Sequence, residues 1–414
     1  MRNFGLILTI LILLNISLFL IFITQEQVEQ PFNDNLDVSS EIESPEDALK
    51  KLNVGDVVAI EDEMHLPTFD VSLKYERHLP TYTYFVVEND FVNIYSGPSL
   101  SEKVIYRANQ WEKLNYIESV LIKAGEESVK RWLHVTWKIN DEPFYGFVRS
   151  DDVSRRFFNF EKMEKAILKA EDYFKKGRLT FINNYKNLKG IAPLYQGGTV
   201  DKEGRRRSQS APGYIDLSNM EDFIYIEDGT LVRYLYPRGD YIRVELVHTG
   251  KEYYVPEKYI QKDRQIRELN KAIVIDRNNQ NQAAFEKIDN KWTLVSYTLA
   301  TTGATGRYAQ PTPLGYYYAI EKRNQFYYFE DGTTRIQGYA PYAIRFNGGA
   351  YIHGVPVNYV YSENGERITP PKIEYSNSIG TVPLSHKCVR NYTSHAKFLF
   401  DWYKEDETIV IVIE

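Results

Sequence analysis

The sequence predicts a mainly β protein with several domains and an N-terminal segment that spans a membrane. At 414 residues, the chain is long enough for two or three domains of about 150 residues each. Its 33 Tyr and 21 Phe residues, together with many Val, Ile and Thr residues, favour strands over helix bundles. A net charge of −6 that is not gathered into a tail argues against a general nucleic-acid binder. We therefore expect a mainly β fold and no nucleic-acid partner.

The first 24 residues are predicted to be a transmembrane signal-anchor. Residues 4–23 are almost entirely apolar, and about 20 residues is the length that a helix needs to cross a bilayer. No Ala-x-Ala cleavage pattern follows this stretch, so we expect the segment to remain attached. Arg2 precedes the stretch and Glu26 and Glu29 follow it, which places the bulk of the chain outside the cytoplasm.

Residues 25–79 are predicted to be a tether that ends in a short helix. Residues 25–44 are polar, acidic and poor in aromatic side chains, a composition typical of a flexible linker. Ser44 offers a capping hydroxyl and is followed by Pro45 and two acidic residues, the usual start of a helix.

Residues 80–155 show short runs of alternating apolar and polar residues between Gly, Pro and Ser turns, the pattern of a small β-barrel. Residues 92–99 read VNIYSGPS, and this stretch resembles the opening of the bacterial Src-homology-three-like wall module. Tyr95 stands where that family often has Arg. The resemblance implies that residues 80–155 form one SH3-like module.

A connector and a second module are predicted to follow. Residues 156–187 contain apolar side chains at spacings of three and four, which predicts an amphipathic helix packed on a barrel: Phe160, Met163, Ile167, Ala170 and Phe174. Residues 188–265 return to short strand patterns. They end in YVPEKYI, which parallels FVRSDDV at the end of the first module. We interpret residues 188–265 as a second SH3-like module and an internal repeat.

The residues that carry chemistry lie in the last third of the chain. Two strand patterns are followed by four short motifs in the order Thr302-Gly303, Pro311-Thr312-Pro313-Leu314-Gly315, Ile352-His353-Gly354 and Ser385-His386-Lys387-Cys388-Val389-Arg390. This order is similar to that of the L,D-transpeptidase catalytic domain, and the likeness extends from Leu269 to Glu414. It implies that residues 266–414 form a β-sandwich catalytic domain of that type.

The resemblance also implies the roles of individual residues. Cys388 would be the nucleophile and His353 the proton acceptor and donor. A thiol with a pKa near 8.5 is mostly protonated at neutral pH, so a nucleophilic cysteine needs a histidine or a cation beside it. A supporting and substrate-binding role is implied for a further set of residues: Ser385, His386, Lys387, Arg390 and Gly354.

Two departures from the family pattern have consequences. The family usually has Gly immediately before the cysteine, whereas this chain has Lys387, whose ammonium should favour the Cys388 thiolate. Residues 358–372 look like a polar insertion between His353 and Cys388, either a lid over the substrate groove or a neutral elaboration.

No metal or cofactor is expected. Cys388 is the only cysteine, which excludes sites that need two thiolates from one chain, and no His-Glu-x-x-His pattern is present. The resemblance implies a cell-envelope enzyme that cross-links peptidoglycan stem peptides, anchored in the cytoplasmic membrane. The alternatives are a papain-type cysteine peptidase, an L,D-carboxypeptidase acting on wall peptides, and a non-catalytic wall-binding protein. We further expect a fragment beginning near Leu269 to react by itself, since it carries both Cys388 and His353.

Overall fold

The computed structural model describes residues 57–123, 128–194 and 209–414. These residues form 27 strands and two α-helices, so the predicted mainly β fold is confirmed. The predicted anchor at residues 1–24 and the helix start at Ser44 lie outside the described residues. Among the residues that are described, none of the helices has the length and apolar character to cross a membrane.

An eight-stranded antiparallel sheet contains most of the first described third of the chain, and we call it the first sheet. Its strands are β1 (Val57–Glu61), β3 (Thr83–Val86), β4 (Phe91–Tyr95), β5 (Val104–Asn109), β6 (Lys113–Lys123), β7 (Val129–Ile139), β8 (Glu142–Arg149) and β9 (Ser154–Phe157). The order is β5-β4-β8-β7-β6-β3-β9, with β1 paired to β6. Apolar side chains of alternating positions form its own core, among them Ile94, Leu114 and Val135.

A six-stranded antiparallel sheet, the second sheet, comes next. Its strands are β10 (Leu179–Phe181), β11 (Ser210–Tyr214), β12 (Phe223–Glu227), β13 (Leu231–Arg238), β14 (Tyr241–Leu246) and β15 (Glu252–Pro256), in the order β10-β13-β14-β15-β11-β12. Both β8 and β15 run directly into a three-residue 3₁₀-helix, Ser150–Asp152 and Glu257–Tyr259. Apart from this shared strand-to-turn ending, the two sheets differ in strand number and order, and the internal repeat and the SH3-like assignment stay predictions.

Two further sheets build the C-terminal region. The larger one has the order β19-β27-β16-β17-β18-β2, with β2 (Asp70–Val71), β16 (Lys271–Asp276), β17 (Asn281–Ile288), β18 (Lys291–Leu299), β19 (Gly315–Tyr318) and β27 (Thr408–Ile413). The smaller one contains β20 (Glu321–Phe329), β21 (Ile336–Asn347), β22 (Ala350–His353), β23 (Val357–Asn358) and β26 (Val389–Arg390). The inserted segment forms a separate hairpin of β24 (Val360–Tyr361) and β25 (Arg367–Ile368).

The two C-terminal sheets pack face to face, as the predicted sandwich requires. Ile273 and Ile275 of β16 point into the core between the sheets, together with Ile352 of β22 and Val389 of β26. Helix α2 (Thr393–Trp402) closes the same core with Leu399. The alternate residues of β16, such as Val274, point to the opposite face, and that face is buried too.

Helix α1 (Phe160–Lys176) covers that opposite face. The Asn159 side chain accepts a hydrogen bond from the Lys162 amide and caps the helix start. Glu171 accepts from Lys287 Nζ at 2.9 Å and from Trp292 Nε1 at 3.1 Å. The predicted helix is confirmed, and its apolar stripe joins a core shared by the first sheet, the second sheet and the larger C-terminal sheet.

The structure also corrects the predicted tether. β1 and β2 lie within residues 25–79, for which we expected a linker and a short helix. β1 pairs with β6, and β2 adds to the edge of β18 in parallel register. The tether prediction is therefore wrong for these strands, because two- to five-residue edge strands are stabilised by the sheet they join and leave only a weak pattern in the sequence.

Candidate active site

The pairing of β22 with β26 brings Cys388, His353 and Arg390 to one place. Ile352 pairs with Val389 and His353 pairs with Arg390, in parallel register. Because side chains alternate along a strand, Arg390 shares a face with its partner His353 and with Cys388, two residues before it. Ile352 and Val389 point the other way, into the core. The apolar residues of both motifs therefore fix the sheet, and the polar residues between them share the opposite face.

His353 is a buried, neutral imidazole with a defined tautomer. Its side chain is only 2% exposed. Nδ1 lies 2.6 Å from the carbonyl oxygen of Gly354, and because a carbonyl only accepts, Nδ1 carries the proton and Nε2 is left as the basic nitrogen. Burial, with a smaller contribution from the charge of Arg390, lowers the pKa of His353 to about 3. The ring is thus uncharged at neutral pH and able to accept a proton at Nε2.

Gly354 is required by close packing behind this histidine. A Cβ at position 354 would lie 2.8 Å from Thr393 Oγ1 and 3.0 Å from Pro341 Cγ. The Gly354 amide donates to the Pro341 carbonyl at 2.9 Å, while its own carbonyl accepts from His353. Gly354 therefore orients the imidazole through its backbone.

The thiol of Cys388 lies over the turn between β21 and β22. Sγ donates a weak hydrogen bond to the Gly349 carbonyl at 3.8 Å. Burial raises the pKa of the Cys388 thiol, while a backbone hydrogen bond from Tyr351 and the charges of Arg390 and Lys387 lower it. Because the burial effect is the largest, the thiol is protonated at neutral pH.

Ser385 holds the loop that carries the thiol. It is 1% exposed, and its hydroxyl donates to the Cys388 carbonyl and accepts from the Lys387 amide at 3.3 Å. Its backbone amide donates to the Thr302 carbonyl at 3.0 Å, and its carbonyl accepts from the Ala304 amide at 2.8 Å. Ser385 thus closes the turn before Cys388 and ties it to the Thr302-Gly303 motif.

The two upstream motifs support the same loop. The Thr312 hydroxyl accepts from the Gly303 amide at 2.8 Å and donates to the Lys387 carbonyl at 2.9 Å. A Cβ at Gly303 would lie 2.8 Å from the Lys387 Cα and 2.2 Å from the Gln310 carbonyl oxygen. We call residues 385–388 the nucleophile loop; the T-G and P-T-P motifs pack against its backbone.

Lys387 occupies a conformation that favours glycine. Its φ of 146° lies in the region that L side chains rarely adopt. Its ammonium lies 2.9 Å from the carboxylate of Glu227, at the end of β12 in the second sheet. The residue that replaces the family's glycine therefore connects the nucleophile loop to the preceding module.

His386 lies at the surface. Its side chain is 55% exposed, and Nε2 lies 2.9 Å from Asp331, in the turn between β20 and β21. Of the predicted residues, the structure thus brings Cys388, His353 and Arg390 to one face. It places Ser385, Lys387 and Gly354 in backbone contacts behind them and directs His386 to a neighbouring turn.

The residues of the second sheet that contact this region were not predicted from the sequence. Asp228 is fully buried and accepts from Arg345 Nη1 at 2.7 Å and from the Gly348 amide at 3.1 Å. Gly348 adjoins Gly349, whose carbonyl accepts from Cys388. The Asp228-Gly229 pair is a visible turn signal, but a turn signal does not indicate that its carboxylate docks on another domain.

Comparisons with known proteins agree with the motif order. Residues 270–412, about a third of the chain, match the family model described as YkuD, L,D-transpeptidase catalytic domain. No curated protein matches the chain. The described residues contain no group of three or more His, Cys, Asp or Glu side chains that could hold a metal ion.

Solved structures show weaker likenesses. A fused Zn-dependent amidase/peptidase/peptidoglycan-binding domain-containing protein from Clostridium acetobutylicum is 21% identical, with 35% of this chain and 52% of that chain covered at a TM-score of 0.24. The chain thus spans about half of that protein. An L,D-transpeptidase from Mycobacterium smegmatis is 15% identical, with 44% and 77% covered at a TM-score of 0.27. L,D-transpeptidase 1 of Mycobacterium tuberculosis is 14% identical, with 45% and 83% covered at 0.26.

At such low TM-scores these likenesses carry no argument, and the family match stands on its own. It confirms the resemblance read from the four motifs of the last third of the chain. Over residues 270–412, the chain therefore matches the L,D-transpeptidase catalytic domain model that its motifs predicted.

Proposed function

We propose that this protein is an L,D-transpeptidase that cross-links peptidoglycan stem peptides through a thioester on Cys388. The observation that carries the proposal is the register of β22 and β26, which puts Cys388 on the same face as a neutral His353 imidazole whose Nε2 is left to accept a proton. The family match over residues 270–412 supplies the reaction class.

The first half-reaction forms the acyl-enzyme. Cys388 Sγ attacks the carbonyl carbon of the third stem residue while His353 Nε2 takes the thiol proton. The tetrahedral intermediate then collapses, the bond to the terminal D-residue breaks, and His353 returns the proton to the leaving amine. Because the free thiol is protonated and the imidazole is neutral, proton transfer accompanies the attack and does not precede it.

The second half-reaction forms the cross-link. An amine of a neighbouring stem attacks the thioester carbonyl and gives its proton to His353 Nε2. The C–S bond breaks, and the thiolate of Cys388 recovers the proton. The charge of Arg390 lowers the pKa of both Cys388 and His353. Arg390 therefore stabilises the thiolate as it leaves and keeps His353 Nε2 unprotonated between turnovers.

Incubation with a tetrapeptide stem tests the proposal. The purified chain should yield a cross-linked dimer and free D-residue, and Cys388→Ala should yield neither. Release of the D-residue with a tripeptide in place of a dimer would assign the protein as an L,D-carboxypeptidase. No reaction with any stem peptide would assign it as a wall-binding protein.

Covalent labelling tests the two residues separately. A carbapenem should add one equivalent to Cys388, detectable by intact mass. His353→Ala should slow this acylation about 10²-fold or more, the range expected for loss of a general base. His78→Gln is the matched control, because His78 stacks on Tyr392 and pairs with Glu374 away from the nucleophile loop. Full-rate labelling of His353→Ala would remove His353 from the mechanism.

The proposal extends to location. Residues 4–23 would anchor the protein in the cytoplasmic membrane. The first and second sheets would be SH3-like wall modules, and they and the catalytic domain would lie on the envelope side of the membrane. What supports this is the apolar length of the segment and the charges that flank it. A mature N-terminus beyond residue 24 in fractionated cells would contradict it.

A further inference from the structure

The nucleophile loop contains a strained residue immediately before the thiol. Lys387 has a φ of 146°, a conformation that glycine adopts freely and that strains a residue with a side chain. Such a conformation persists only where the surroundings over-determine it. On the backbone side, Thr312 holds the Lys387 carbonyl and Gly303 packs against its Cα. On the side-chain side, the contact is Glu227.

Glu227 belongs to a rigid corner of the second sheet. We call residues 227–229 the docking corner. Asp228 is fully buried and is held by Arg345, by the Gly348 amide and by the Asn184 amide at 2.7 Å. A Cβ at Gly229 would lie 1.9 Å from the Phe346 carbonyl oxygen, so the corner touches the β21 backbone directly. Glu227 is therefore presented to the nucleophile loop from a fixed point.

We propose that Glu227 is a positioning residue of the active site: by pairing with Lys387 it holds the nucleophile loop in place, so that the second sheet is a working part of the catalytic centre. Both side chains of the pair are largely shielded, with 20% of Lys387 and 26% of Glu227 exposed. The effect of the Glu227–Lys387 pair on turnover rests on the proposed function, whereas its effect on the Cys388 thiol does not.

The pair also balances the charge beside the thiol. The Lys387 ammonium lowers the pKa of Cys388, and the Glu227 carboxylate 2.9 Å from it supplies the opposite charge. Removing Glu227 should therefore lower the pKa of the Cys388 thiol, and removing Lys387 should raise it. Greater mobility of the nucleophile loop alone would not change the thiol pKa in opposite directions for the two substitutions.

Alkylation of Cys388 by iodoacetamide as a function of pH measures this directly. Glu227→Gln should move the profile to lower pH, because the ammonium loses its counter-charge and favours the thiolate. Lys387→Gly should move the profile to higher pH, because the carboxylate remains without the ammonium. Glu252→Gln is the matched control: Glu252 pairs with Arg243 inside the second sheet at 3.1 Å, and its removal should leave the profile unchanged.

A double-mutant cycle on carbapenem acylation tests the positioning itself. Glu227→Gln should slow acylation of Cys388 about tenfold when Lys387 is present. In the Lys387→Gly background it should change the rate less than about twofold, because no side chain remains for Glu227 to hold and glycine adopts the loop conformation without help. Glu227→Asp should recover part of the lost rate, since it keeps the charge.

Several results would overturn the inference. These are an equal loss of rate in both backgrounds, no loss in either, or a shift of both alkylation profiles in the same direction. Lys387→Gln removes the cation without altering the docking corner. It can replace Lys387→Gly in both experiments if the glycine variant fails to fold. The alkylation profiles report on the pair even if stem peptides prove not to be substrates, so the two proposals fail separately.

Discussion

The first sheet touches the catalytic domain through hydrogen bonds, one of them from Arg156 Nη1 to the Asn278 carbonyl at 3.2 Å, whereas the second sheet does so through a buried ion pair. The first sheet contacts the turn between β16 and β17: Tyr84 Oη donates to the Asn279 carbonyl at 2.7 Å, and the Phe157 amide donates to the Asn279 side chain at 3.1 Å. The second sheet contacts the turn between β21 and β22 with the buried carboxylate of Asp228, paired with Arg345.

The difference shows which contact can influence the reaction. Neutral hydrogen bonds to a turn stabilise the fold by about 0.5–1.5 kcal/mol each. A buried ion pair is more demanding, because loss of one partner leaves an uncompensated charge. The second contact also lies beside Gly349 and the nucleophile loop. We therefore expect both contacts to stabilise the fold, the second more strongly, and only the second to influence the thiol.

The largest expected effect comes from removing both sheets together. Leu269 is 1% exposed and lies in one core with α1 and the larger C-terminal sheet. A fragment beginning near Leu269 would leave the α1-facing side of that sheet in water, so we expect it to be unfolded or insoluble and not acylated. This reverses the sequence-based expectation that the fragment reacts by itself.

Circular dichroism and carbapenem labelling check this outcome. A chain beginning near residue 57 is the control, because it keeps every described element. A soluble Leu269 fragment that labels at the rate of the full chain would show that neither sheet matters to the active site.

A smaller effect is expected from Asp228→Asn. The substitution keeps the shape but leaves Arg345 with only Glu321 at 2.8 Å as its carboxylate partner. We expect a loss of about 3 kcal/mol in the free energy of unfolding, measured with urea. Tyr84→Phe at the first contact should cost about 1 kcal/mol. Equal losses at the two contacts would remove the distinction between the sheets.

Acid should destabilise the catalytic domain more than the sheets that precede it. Burial lowers the pKa of His353 and of His395 to about 3. Their folded pKa lies below the unfolded value, so the stability is complete above about pH 6.5 and is lost as the pH falls toward 3. Each histidine contributes a slope of up to about 1.4 kcal/mol per pH unit.

Urea unfolding at a series of pH values measures that slope. His395→Phe should remove about half of it while Cys388 remains reactive, because His395 contacts Ser296 and Tyr75 in the core and not the nucleophile loop. A slope that does not change in this variant would assign the acid sensitivity to other groups.

The smallest effect is a gain. Lys387→Gly should stabilise the protein by about 1 kcal/mol, because relief of backbone strain exceeds the loss of a partly exposed ion pair worth about 0–1 kcal/mol. Lys387→Ala separates the two contributions: it loses the pair but keeps the strain, so it should be slightly destabilised. If Lys387→Gly is destabilised as well, the pair with Glu227 is worth more than the strain.

Local patterns in the sequence predicted much of the fold and of the site. Helix α1 followed from apolar spacing of three and four, which is a property of 17 consecutive residues. The four motifs of the last third pointed to the family and to Cys388 and His353. The edge strands β1 and β2 were not predicted, because sheet partners stabilise them and their own residues do so only weakly.

The sequence by itself determined which reactive groups exist: one thiol, a few histidines and a lysine where glycine is usual. Only the tertiary structure decided their states and neighbours. Burial sets the charge of His353, and its tautomer depends on the position of one carbonyl. Glu227 and Lys387 are 160 positions apart in the chain and meet only because the second sheet docks on β21. Patterns along a chain report local geometry, whereas electrostatic contacts depend on which distant surfaces are packed together.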